Sequence, residues 1–170
     1  MLYQAAVFIH LVSAVTWVGG SLFLVLVLVP VMRTGVESPS QGARLLGHIA
    51  RRFRTVAWAS IILLVGTGLF VATDHWRVTP SDFFGGSGWF IDVLRAKVGL
   101  VFAIIVLSFF HDFVLGPRVT RRLEDLRGSG APPAQILTAR RTLVWIARAN
   151  LLMILTVVAL AVTLGRGSPL

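Results

Sequence analysis

Apolar and polar positions alternate along this chain on a long scale. Four runs are almost wholly apolar: residues 5–32, 55–73, 89–110 and 142–165, the last interrupted by Arg148. A run of about 20 residues at roughly 1.5 Å rise per residue covers a hydrocarbon core about 30 Å thick. The pattern predicts helices over about 3–33, 40–73, 89–126 and 134–164. The first run has no basic residue before it, is too long for a signal peptide and lacks a small-x-small cleavage site, so it reads as a retained transmembrane helix. Pro30 should bend its inner end, and Gly116-Pro117 should kink the third helix. Ser38 or Ser40 offers an N-cap to the second helix, and Gly66 and Gly68 allow close helix approach there.

The segments between the runs carry the breakers. "DHWRVTPSDFFGGSGW" is expected to be an outer loop, with Pro80 and its glycines stopping any helix and "FFGGSGW" forming a flexible lid. "RGSGAPP" is a turn. Residues 40–54 hold four arginines and His48 among apolar residues, the pattern of an amphipathic extension beyond the membrane. No internal repeat or second domain stands out. The expectation is an all-α integral membrane protein: a single domain over 1–170, a four-transmembrane-helix bundle with cytoplasmic extensions of helices two and three.

Composition sharpens this. The chain is 56% hydrophobic and 14% charged, with a mean hydropathy of +0.83, where soluble domains run near 25% charged. The net charge of +9 comes from arginines that cluster by loop. Arg33, Arg44, Arg51, Arg52 and Arg54 lie between the first two runs. Arg118, Arg121, Arg122, Arg127, Arg140, Arg141 and Arg148 lie between or just inside the last two, against Arg77 and Arg166 on the other side. The positive-inside rule then places both termini outward. Trp58, Trp76, Trp89 and Trp145 fall near span ends, as interface aromatics do. The charge therefore speaks for topology and anionic lipid, not nucleic acid. With no cysteine, disulfides and thiolate metal sites are excluded.

Ionisable groups inside the spans are the candidate chemistry, because each is costly there and calls for a partner. His10 lies about two turns into the first helix. Trp17 shares its face, and Gly19-Gly20 would let a neighbour or a flat ligand approach. Lys97 is expected at a depth similar to His10, and fourteen residues separate it from His111 on one face of helix three. His75, with Asp74 beside it, sits at the outer mouth, and His48 lies on the inner extension. Two outward and two inward histidines suggest axial pairs for haem b. A copper ion is the alternative, and imidazoles suit it, although Met1, Met32 and Met153 do not cluster as a Cu(I) path would need. The metal candidates are His10, His75 and Asp74; the cofactor candidates are His10, Lys97, His111 and Trp17. No phosphate loop, paired-histidine zinc motif or nucleophile elbow occurs, so the residues do not point to an enzyme.

"HLVSAVTWVGGSLFLVLVLVPVMR", "RRFRTVAWASIILLVGTGLF", "LRAKVGLVFAIIVLSFFHDFVLGPRV" and "ARANLLMILTVVALAVTLGRG" together resemble the copper-resistance protein D family of bacterial inner-membrane proteins. The markers are His10-x6-Trp17-x-Gly19-Gly20, Gly66-x-Gly68, Lys97 and Gly116-Pro117-Arg118. The resemblance implies copper handling in the bacterial cytoplasmic membrane, with the bilayer, a periplasmic copper or electron-transfer protein and further copies of the chain as partners. A weaker similarity, carried by His10, Lys97 and His111, is to the HemJ-type membrane protoporphyrinogen oxidases and implies a haem-capable bundle. A cofactor-free interaction subunit is the third reading. Copper and haem stay undecided at this level.

Overall fold

The computed structural model describes residues 1–34, 39–119 and 134–166. Every described element is helical, and four helical stretches are long and apolar enough to cross a membrane: Leu2–Met32, Leu45–His75, Trp89–Val119 and Arg141–Gly165. The all-α membrane class is therefore observed. At 1.5 Å per residue the three stretches of 31 residues run to roughly 46 Å, more than the hydrocarbon core requires. Large apolar side chains such as Phe8, Val15, Ile62, Leu69, Phe102 and Leu152 are exposed. Lipid contact is what such surfaces suit. The chain divides into two compact units, Met1–Gly86 and Ser87–Leu170.

In the first unit α1 (Leu2–Phe23) continues through a π-helical turn, Leu24–Leu28, into α2 (Val29–Thr34). It packs along α3 (Pro39–Phe70), which ends in a second π turn, Val71–His75. Since Pro39 is already helical, Ser40 is inside the helix and is not its cap; residue 38 is outside the described part. The α1 face made by His10, Ser13, Trp17 and Gly20 has the spacing of one helical stripe, and Ser13 and Trp17 are buried on it. On α3, Ala57 and Ser60 are small and buried, and small residues permit the close approach that drives helix pairing in lipid. Gly20 is the tightest point: a Cβ there would run into the ring of Phe53.

The second unit pairs α5 (Trp89–Phe109), extended by the π turn Phe110–Leu115, with α6 (Ala134–Arg166). Leu94, Ile104 and Ser108 are the buried residues of α5. Ile154 and Leu164 are buried on α6. The expected end of the third helix at 126 and the turn at 127–133 lie outside the described residues.

Both prolines of the first helix in each unit are handled alike. A proline offers no N–H and its ring collides with the carbonyl four residues back. Just ahead of Pro30 the Val29 N–H bonds Leu24 O, and just ahead of Pro117 the Gly116 N–H bonds His111 O. Each is a five-residue step, which widens the turn where the ring must fit. The chain stays helical through Pro117 to Val119, so the expected kink takes the form of a π turn. At Gly116 a Cβ would sit 2.9 Å from His111 O, a tight contact that glycine avoids.

The outer loop corrects the sequence reading. Pro80 does not stop a helix but begins one, α4 (Pro80–Gly85). Thr79 is its N-cap: its hydroxyl accepts from Asp82 N at 3.2 Å, and Asp82 Oδ2 accepts from Thr79 N at 2.9 Å. Threonine, proline at the first helical position and an acid three residues after the cap form a capping box, which outweighs the following glycines. Arg77 enters the left-handed region (φ 55°) ahead of it, and Val78 N–H turns back to Ala72 O at 3.0 Å.

Asp82 titrates lower than usual because the Thr79 hydroxyl and then the Thr79 backbone N–H bond its carboxylate. A depressed folded value means that the cap is fully present above the ordinary aspartate range and is lost only as pH falls through the lower folded value. NMR titration of the Asp82 and Phe83 amides should show one transition below the ordinary aspartate range. In Asp82→Ala the cap signature should be absent at every pH.

Candidate functional site

His10 is half-buried on the α1 face that meets α3. Its Nδ1 lies 2.8 Å from Thr67 Oγ1, and Gly68 next door leaves room for the ring, since a Cβ built there would stand 3.4 Å from His10 Cε1. The Thr67 hydroxyl has one proton and gives it to Leu63 O at 2.6 Å, the back-bond threonines make inside helices. Towards His10 it can therefore only accept, so Nδ1 carries a proton, and in the neutral ring the lone pair is on Nε2. This is how second partners orient metal-binding histidines.

The other candidates are placed less favourably. Trp17 is buried on the His10 face one heptad deeper, as expected. Gly20 is filled by Phe53, whereas Gly19 has nothing against its Cβ direction. His75 is exposed and stacks on Tyr3 with ring centroids 3.8 Å apart. The exposed Asp74 accepts from Thr73 Oγ1 at 3.2 Å. Among the described residues no group of three His, Cys, Asp or Glu could hold a metal ion, so His10, His75 and Asp74 do not form a set. His48 is exposed, with its Nδ1 3.1 Å from Arg51 Nη2, and is occupied by an arginine of its own helix.

In the second unit Lys97 is half-buried, two residues from Arg95, which pairs with Asp92 at 3.1 Å. His111 is half-buried and its Nδ1 lies 2.9 Å from Asp112 Oδ1, so its Nε2 is likewise the nitrogen left basic when the ring is neutral. Asn150 Nδ2 donates to Ser108 Oγ at 3.0 Å between α5 and α6. Asn150 Oδ1 is buried with no partner among the described residues. A groove of about 260 Å³ is lined by Phe113, Val114, Pro117 and Arg118.

Sequence reasoning missed Thr67 and the Ser108–Asn150 pair. Thr67 sits between Gly66 and Gly68, and that was the available signal: two glycines flanking a hydroxyl mark a helix surface open to a partner.

The chain matches the family model described as Domain of unknown function (DUF4149) over residues 12–127. A protein of Aquifex aeolicus (strain VF5), named "Uncharacterized protein", is 29% identical over 112 residues, covering 65% of this chain and 68% of the relative. No solved structure matches the chain. The matched segment takes in α1 from residue 12, all of α3, α4 and α5, and the residues between, most of the architecture described above. The chain belongs to the DUF4149 family.

Proposed function

We propose that the chain is a copper-handling protein of the copper-resistance D type in the bacterial cytoplasmic membrane, with both termini outward and His10 as the residue that takes the ion. The observation that carries this reading is the bond from His10 to Thr67. It fixes the imidazole in one tautomer with Nε2 as the ligating nitrogen. The resemblance of the motifs around His10, Lys97 and Gly116-Pro117 points the same way.

A second reading is a b-type haem protein. It is supported by His111, whose Nδ1 is also engaged, by Asp112, as axial imidazoles commonly are. A cofactor-free subunit is the remaining outcome.

Purified protein in detergent should bind copper by elemental analysis and show no Soret band with or without dithionite. His10→Ala should lose most of that copper while the helices stay folded, and Thr67→Val should weaken binding by about 10- to 100-fold. His75→Ala should bind as wild type does. A Soret band with sharp reduced α bands overturns copper in favour of haem. Full retention of copper in His10→Ala removes the ligand role, and the variant then loses only the roughly 1–3 kcal/mol of a packed, hydrogen-bonded ring.

The orientation follows from twelve arginines in or beside the two inner connections. A cysteine at Ser129 should be labelled only from the cytoplasmic side and one at Ser87 only from the periplasm. The reverse pattern would invert the topology.

A further inference from the structure

The boundary between the two units falls after residue 86, about half-way along the chain. The first membrane-crossing stretch of each unit carries one π turn ahead of a proline. These π turns end at Leu28 and Leu115, 87 positions apart. Val27-Leu28-x-Pro30 matches Val114-Leu115-x-Pro117 at that spacing, preceded by Ser21 and Phe23 against Ser108 and Phe110. On the second helices, Arg54-Thr55-x-x-Trp58 matches Arg141-Thr142-x-x-Trp145, and the separation is once more 87. Trp17 and Ile104, equivalent at this spacing, are both buried.

Chance agreement of apolar helices produces scattered Leu and Val matches. It does not place a proline, the π turn before it and an Arg-Thr-x-x-Trp motif at one common separation. The two motifs lie on different helices with a connection between them, so each is an independent measure of the spacing.

We propose that the two units are tandem copies of one ancestral two-helix membrane unit, and that Lys97 holds in the second copy the position His10 holds in the first. The correspondence is by position along the first helices. The interhelical bonds have diverged: unit 1 joins its pair through His10 and Thr67, unit 2 through Ser108 and Asn150. In unit 1 the counterpart of Ser108 is Ser21, whose hydroxyl returns to Trp17 O at 2.8 Å. The copies have also divided their chemistry. A neutral imidazole offers a lone pair and suits a cation; an ammonium only donates and suits an oxyanion or a carbonyl oxygen. The duplication thus turned one kind of intramembrane polar position into a cation-facing one and an anion-facing one.

This rests in part on the copper reading, and the test separates the two. A saturation scan of the full chain, scored for membrane abundance, gives a tolerance profile independent of any ligand. Its self-correlation should be highest at a shift of 87, above the side peaks at neighbouring whole turns that any helix produces. A maximum elsewhere, or none above those side peaks, overturns the duplication. Copper then tests the functional equivalence: Lys97→His should raise binding from about one equivalent to about two, because imidazole suits the ion. In the His10→Ala background the same change should restore about one. If wild type binds copper and Lys97→His adds none, the equivalence of Lys97 and His10 is wrong even where the scan upholds the duplication. If wild type binds none, the copper reading falls and the scan alone decides.

Discussion

Lipid offers a backbone group nothing to bond to, so in a spanning segment each amide and carbonyl must be satisfied within the protein. This constraint explains the helices, and it also explains their irregular places. Pro30 and Pro117 each remove a donor, and the turn before each opens to a five-residue step so that the neighbouring amide still finds a carbonyl. It governs the side chains as well. The hydroxyls of Ser21, Thr67, Thr73, Thr142, Thr156 and Thr163 all return to carbonyls of their own helix.

Against that background, polar groups that reach another helix carry information. Interhelical hydrogen bonds in membranes average only about 0.6 kcal/mol, so they do little to hold helices together. Small buried residues such as Ser13, Ala57 and Ser60 serve packing better. What the His10–Thr67 bond does is orient. Because the threonine proton is already committed to Leu63 O, the imidazole must donate to Thr67 from Nδ1. The ring is thereby fixed in direction, which is what a metal ligand requires.

Much of the architecture was legible in the chain. The apolar runs locate the four spans because a bilayer leaves no other use for them, and the two prolines mark the irregular turns. Residues 80–85 were misread because proline and glycine were weighed as breakers while the Thr79–Asp82 capping box was not. At the site, His10 was legible as a costly group in oil and Trp17 as its neighbour on the same face. Thr67 was not, because a partner 57 residues away is fixed by how two helices slide against each other. His75 and Asp74 looked like donors on proximity in sequence, but one stacks on Tyr3 and the other takes a bond from Thr73. The 87-residue correspondence was hidden by the composition: in a chain 56% hydrophobic, weak self-similarity is everywhere, and only the proline and Arg-Thr-x-x-Trp motifs, with the π turns, reveal the shared register.

The central claim is that His10 is held as the Nδ1–H tautomer by Thr67. Nitrogen NMR of the protein labelled at histidine, in lipid nanodiscs without added metal, reads this directly. The account predicts a protonated Nδ1 and an unprotonated Nε2 for His10 near neutral pH, with the resonances moving toward a tautomer mixture in Thr67→Val. A protonated Nε2 in the wild type, or a spectrum indifferent to Thr67→Val, would contradict it.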